Sequence, residues 1–206
     1  QADEGFSLEP YFAAIKAEFE ANGIEVEIRQ KHKTNVTAIE SAFLKNTTQV
    51  FDLALIGRQP IKIKFEVDTL PPLGFSTEEK LLIEPFSFYV KCFQLPDLFA
   101  GKMHALLFRQ WKNRVKGRDW FDFEWYIKNR VSMNLAHFNQ RALQSESIES
   151  PLNKDEFMEL LRKKINTTNL ENAKQDVERF IIDKSLLDIW SAQYFNDLAT
   201  MLTIKT

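Results

Sequence analysis

The chain has 206 residues, 44% hydrophobic and 27% charged, with a formal net charge of −2, values that exclude the disordered and fibrous classes. So small a net charge gives no global pull toward nucleic acid or anionic lipid, so any polyanion contact must come from a local patch. A lone cysteine, Cys92, excludes an internal disulfide and a cysteine zinc cluster and fits a reducing cytoplasm, and no apolar run reaches the roughly 20 residues of a membrane span.

The length allows one large domain or two small ones, with a core that holds without staples. Ser7 to Asn22 predicts an amphipathic helix: Ser7 caps it, Phe12, Ile15 and Phe19 recur at helical spacing, and Asn22-Gly23 stops it. The period then changes to two. IEVEIRQKHK from Ile24, TAIESAFLK, TQVFDLALIG and IKIKFEVDT from Ile61 read as neighbouring antiparallel strands, with turn chemistry at 46–48 and 57–60. TLPPLGFSTEE reads as a loop, and LLIEPFSFYVKCF as one more short strand. From Leu95 onward the pattern is helical in PDLFAGKMHALLFRQWKN, RDWFDFEWYIKNR, NLAHFNQRALQ, KDEFMELLRKKIN, LENAKQDVERFII and SLLDIWSAQYFNDLATML. The change of period divides the chain near Phe93 into a strand-rich part, 1–93, and a helical part, 94–206.

The unusual stretch is KMHALLFRQWKNRVKGRDWFDFEWYI, which mixes cations, two carboxylates and large aromatics. One reading is structural: Asp119, two residues after Gly117, is an N-cap, with Asp122 completing a capping-box-like arrangement. The aromatics Trp120, Phe121, Phe123, Trp125 and Tyr126 are then core, and Lys102 and Arg109 are solvated charges. The other reading is chemical. Lys102 and Arg109, seven apart, project from one face of a helix, and Asp119 and Asp122 share a face of the next. A hairpin of the two brings cations and carboxylates over a common cleft, where fixed cations suit a triphosphate and an Asp suits a metal ion or a hydroxyl losing its proton. Spacing alone leaves both readings open.

The residues themselves carry a resemblance. LPDLFAGKMHALLFR followed by KGRDWFDFEWYI is similar to the paired K-x-x-A-L-x-x-R and R-D-x-x-D-hydrophobic motifs of the nucleotidyltransferase AbiEii/AbiGii toxin family, and the likeness extends over most of the chain. It implies an α+β fold, the DNA polymerase β-like nucleotidyltransferase domain joined to a helical domain, with the active site between them. It also implies a toxin of a bacterial toxin–antitoxin or abortive-infection system that uses Mg²⁺ and moves a nucleotide from a nucleoside triphosphate to an acceptor such as tRNA. By position, Lys102 matches the family's phosphate-binding lysine, Arg109 the arginine ending the first motif, Arg118 the arginine of the second, Asp119 its aspartate, read as a base, and Asp122 the following acid. The upstream Gly-Gly or Gly-Ser turn and the Asp-x-Asp metal pair of the family do not occur in the chain. The chain is therefore expected to begin just after them and to be inactive alone.

Glu66, with Asp68 as the alternative, is the remaining metal candidate, since the two lie on one face of a predicted strand; a solvated face explains them equally well. His104 is two positions from Lys102 and turned away from it, and His32 and His137 have no partners at ligand spacing. In the tail, Ile189, Trp190, Tyr194 and Phe195 suit core packing before partner docking. The alternative function is a non-catalytic module in which the basic connector from Lys112 to Arg118 contacts RNA or an antitoxin and the aspartates cap a helix.

Overall fold

A computed structural model describes residues 7, 9–30, 48–55, 61–68, 71–109 and 114–205, without the side chains of 29–30, 48–55, 61–62 and 64–67. The expected strand TAIESAFLK and His32 lie outside the described residues. Contacts divide the chain into two compact units, Gln1–Pro71 and Pro72–Thr206.

The first unit opens with helix α1, Glu9–Ala21. Ser7 Oγ accepts from the Glu9 amide at 3.2 Å, and Phe12, Ile15 and Phe19 are its half-buried positions, as their spacing predicts. The helix ends where Gly23 takes φ +73°, a left-handed conformation open to glycine at no steric cost. Strands β1 (Val26–Gln30), β2 (Thr48–Leu55) and β3 (Ile61–Asp68) form one antiparallel sheet in the order β1-β2-β3. The register sets Val26 opposite Leu55 and Thr48 opposite Asp68. Alternating sequence thus becomes meander, as expected.

The second unit differs from expectation at its start. In place of a loop and one strand, Thr77–Leu82 (β4) and Phe88–Phe93 (β5) pair as an antiparallel hairpin, Thr77 opposite Phe93 and Leu82 opposite Phe88. TEEKLL lacks apolar alternation because most of its side chains face solvent, so no pattern marks it in the sequence. The hairpin is tied to the helices by Asp97, a buried carboxylate in the first turn of helix α2 (Leu95–Phe108), which accepts from the Ser76 amide at 2.7 Å and from Asn134 Nδ2 at 2.6 Å.

Five further helices follow: α3 (Gly117–Lys128), α4 (Leu135–Gln144), α5 (Lys154–Thr167), α6 (Leu170–Glu178) and α7 (Ala192–Thr200). Asn134 caps α4, and Asn153 with Glu156 forms a full capping box on α5. The last predicted helix is broken: a 3-10 turn at Lys184–Leu187 precedes α7, whose start is fixed by Ser191 Oγ accepting from the Tyr194 amide at 3.1 Å. Ser191 competes for the backbone better than it continues a helix, which explains the interruption. Short strands β6 (Met133–Asn134) and β7 (Ile204–Lys205) pair in parallel and fasten the end of the described chain to the start of α4.

The core of this unit is aromatic. Phe99 stacks on Tyr126 at 4.4 Å between ring centroids, and Trp120 meets Phe195 edge-on at 4.9 Å. Trp190 and Phe195 belong to this core, while Ile189 is exposed. Buried Glu124 accepts from Trp190 Nε1 and Tyr194 Oη, each at 2.8 Å, and pairs with Lys128. Burial, then the hydrogen bond to Glu124, holds the Tyr194 phenol protonated above its usual range. Glu124→Ala strands the buried Trp190 indole N–H and frees the half-buried Tyr194 hydroxyl, and is expected to cost about 2 kcal/mol, lowering Tm by roughly 6 °C in a thermal melt.

Candidate active site

α2 and α3 pack side by side, linked by the basic connector of which 114–116 are described. α2 ends at Phe108 because Arg109 leaves the helix with extended backbone (φ −67°, ψ 121°), its amide still bonded to the Ala105 carbonyl. The chain re-enters helix at Gly117. There the capping expectation for Asp119 is corrected: the N-cap is Lys116, which makes no side-chain cap, and Asp119 is the third helical residue. The first amide of α3 is satisfied instead from another helix, since Gly117 N donates to Asp176 Oδ2 at 3.0 Å. Asp176 also pairs with Arg114.

With Asp119 freed from capping, its side chain points into a hollow. Lys102 Nζ lies 2.7 Å from Asp122 Oδ2, and Arg109 Nη1 lies 3.6 Å from Asp119 Oδ2. Cation and carboxylate do face each other across α2 and α3, as the spacing suggests. These four side chains, with Lys116, Arg118 and Arg141, line a cavity of about 770 Å³. A second cavity of about 340 Å³ shares Ala105, Arg109, Lys116 and Asp119 with it.

Asp119 is 6% exposed. Burial raises its pKa, and the charges of Arg109, Lys116 and Lys102 oppose that shift. Burial lowers the pKa of Lys116, and neighbouring Arg109 lowers it further. A carboxylate with raised proton affinity beside fixed cations is the combination a proton acceptor near phosphate needs.

The sequence-predicted residues divide in space. Lys102, Arg109, Arg118, Asp119 and Asp122 line the larger cavity together. Glu66 lies in β3 opposite Val50, its side chain outside the described set, and Asp68 is exposed in the first unit. Of the expected aromatic wall, Phe121 lines the larger cavity and Trp120 the smaller, Phe123 and Tyr126 are core, and Trp125 is 43% exposed. His104 is buried, its Nε2 2.8 Å from Ser145 Oγ, with its pKa pushed down to about 4 by burial, Arg141 and Arg109. His137 Nδ1 donates to the Leu73 carbonyl at 2.9 Å.

Arg141 and Lys164 were not singled out by sequence. Arg141 reaches the cavity from α4, where its guanidinium lies over Gly101, with Nε 3.6 Å from where a Cβ would stand. A glycine in mid-helix, FAGKMH, was the available signal of such a close approach.

The divalent ion implied by resemblance finds no ligand set here: among the described residues no three His, Cys, Asp or Glu side chains cluster to hold a metal. Asp119 and Asp122 are each engaged by a cation, and the cations around them would repel another.

An α+β chain whose helical unit carries a cation-lined cavity with a buried carboxylate is the class that fold and site define. The model described as nucleotidyl transferase AbiEii toxin, Type IV TA system, matches residues 5–198, and the chain belongs to that family. A comparison with curated proteins gives no match. Among solved structures, a protein from H. pylori provisionally described as a nucleotidyltransferase is similar at 15% identity and a TM-score of 0.46, over 87% of this chain and 67% of that one. No described helix is long and apolar enough to cross a membrane.

Proposed function

We propose that the larger cavity holds the triphosphate of a nucleoside triphosphate, and that the protein transfers the nucleotide to a hydroxyl of an acceptor such as tRNA. One observation carries the reading: Lys102, Arg109, Lys116, Arg118 and Arg141 converge on one hollow with buried Asp119 in its wall. The acceptor oxygen forms a bond to the α-phosphorus, the bond from that phosphorus to the bridging oxygen breaks, pyrophosphate leaves, and the hydroxyl proton passes to Asp119. Lys102 neutralises the triphosphate in place of its contact with Asp122, while Arg109 holds Asp119 in orientation.

In this reading the strand-rich residues 1–93 belong to a DNA polymerase β-like domain and 94–206 to the helical domain, acting in the bacterial cytoplasm against an antitoxin partner or in abortive infection. Nucleotidyltransferases in general use Mg²⁺. Among described residues, the connector argues against the RNA-docking alternative, since Arg114 is held by Asp176 and Lys116 is half-buried in the cavity wall.

Titration with nucleoside triphosphate by calorimetry tests the reading. Lys102→Ala removes a charge-assisted contact of about 2 kcal/mol and is expected to weaken binding roughly 30-fold. Salt-dependent RNA binding with no nucleotide binding would support the non-catalytic module instead.

A pH series adds a sign. Below the raised pKa of Asp119 the carboxyl is neutral, so a negative charge is lost from the cavity and triphosphate affinity rises, while transfer falls because the base is protonated. Above the lowered pKa of Lys116 a cation is lost and affinity falls. Asp119→Asn is expected to remove the acidic limb of that affinity profile, which separates it from titration of the nucleotide itself.

A further inference from the structure

Resting on that reading, we propose that Phe180 is the platform on which the nucleobase of the donor nucleotide stacks. The larger cavity has two kinds of lining. Its cations come from α2, the connector, α3 and α4, whereas Val177, Phe180 and Ile181 reach it from the end of α6, and Phe121 adds a second aromatic from α3. A volume of about 770 Å³ is more than a triphosphate alone fills and is of the size that takes a whole small ligand. The phosphates need the cations, and a flat base needs rings and aliphatic carbon.

Phe180 sits just past α6, where its amide donates to the Val177 carbonyl at 2.8 Å and the Ile181 amide donates to the Glu178 carbonyl at 3.1 Å, so a tight turn fixes where the ring stands. The ring is nevertheless 50% exposed. A single exposed aromatic is ordinary; the company Phe180 keeps is not. Arg118 lies over the ring at 5.0 Å from its centroid and Arg179 at 4.7 Å. Among the described residues no carboxylate holds Arg118, so its guanidinium rests on a π face at the edge of the cavity it lines. A phosphate attracts that guanidinium more strongly than a ring does, and its departure bares the ring for a base. The platform also keeps a fixed distance from the reacting carboxylate. α3 and α6 touch at Gly117, where a Cβ would stand 1.9 Å from the Ala173 carbonyl oxygen, and Asp119 is two residues further along α3. Phe180 and Asp119 are thus carried by one close-packed pair of helices.

The test titrates the full chain with each of the four ribonucleoside triphosphates and with inorganic tripolyphosphate, which carries the phosphates without a base. Wild type, Phe180→Leu, Phe180→Trp and Lys102→Ala are compared, with thermal melts to control for folding. Phe180→Leu keeps apolar bulk but removes the ring, and is expected to weaken the tightest-binding nucleotide about ten-fold while tripolyphosphate stays within about two-fold of wild type. Phe180→Trp should restore nucleotide affinity, and its added indole should be quenched by nucleotide but not by tripolyphosphate. Lys102→Ala should weaken both ligands alike, as a phosphate contact does. If Phe180→Leu weakens tripolyphosphate as much as nucleotide, the ring acts only through Arg118 and the proposal is overturned. If Phe180→Leu leaves nucleotide affinity unchanged, the base lies elsewhere, and the platform fails while the nucleotidyltransferase reading stands. If wild type binds neither ligand, that reading fails and the platform with it.

Discussion

Asp119→Asn is expected to reduce nucleotide transfer about a thousand-fold, the mid-range of a general base's contribution. The substitution keeps shape and hydrogen-bonding length but removes the proton acceptor. Folding should be nearly untouched, because Asp119 makes no helix cap and its ion pair with Arg109 is long at 3.6 Å. Neutralising a buried carboxylate also removes a desolvation cost, which offsets the lost attraction. A Tm within about 4 °C of wild type, equivalent to about 1 kcal/mol, is therefore the companion result. Single-turnover transfer of a labelled nucleotide reads the effect directly. Transfer within three-fold of wild type would remove Asp119 from the chemistry.

Gly117→Ala should be the most destabilising of these changes although it adds one carbon. A Cβ there stands 1.9 Å from the Ala173 carbonyl oxygen and 2.9 Å from both the Ala173 carbonyl carbon and Val177 Cβ. Backbone cannot rotate aside as a flexible side chain can, so α3 must move off α6. That movement breaks the bond from Gly117 N to Asp176 and displaces Asp119, two residues later on the same turn. Overpacking at this distance together with a lost charge-assisted bond is expected to cost about 4 kcal/mol. Tm should fall roughly 12 °C, and nucleotide binding should fall with it. A melt unchanged within 2 °C would mean that the helices do not approach so closely.

The central pairs were legible because they are local. Lys102 and Arg109 on one helix, and Asp119 and Asp122 three apart on the next, meet once two consecutive helices pack as neighbours. The strand meander was legible for the same reason, since alternation reports a half-buried face. Hairpin β4–β5 was not, because TEEKLL turns most of its side chains to water and leaves no pattern. Arg141 and Lys164 were hidden differently: only the packing of α4 brings Arg141 to the larger cavity, and that of α5 brings Lys164 to the smaller. Gly101 marked the approach of Arg141 and Gly117 that of α6, but a lone glycine does not name the partner that crowds it. The role of Asp119 as a third helical residue rather than a cap depended on Asp176, a residue distant in the sequence.

That carboxylate orders assembly in time. Asp176 holds Arg114 and the opening amide of α3 together. A ribosome delivers residue 176 well after 119, so Asp119 acquires its anchored helix only when the later part of the polypeptide has emerged.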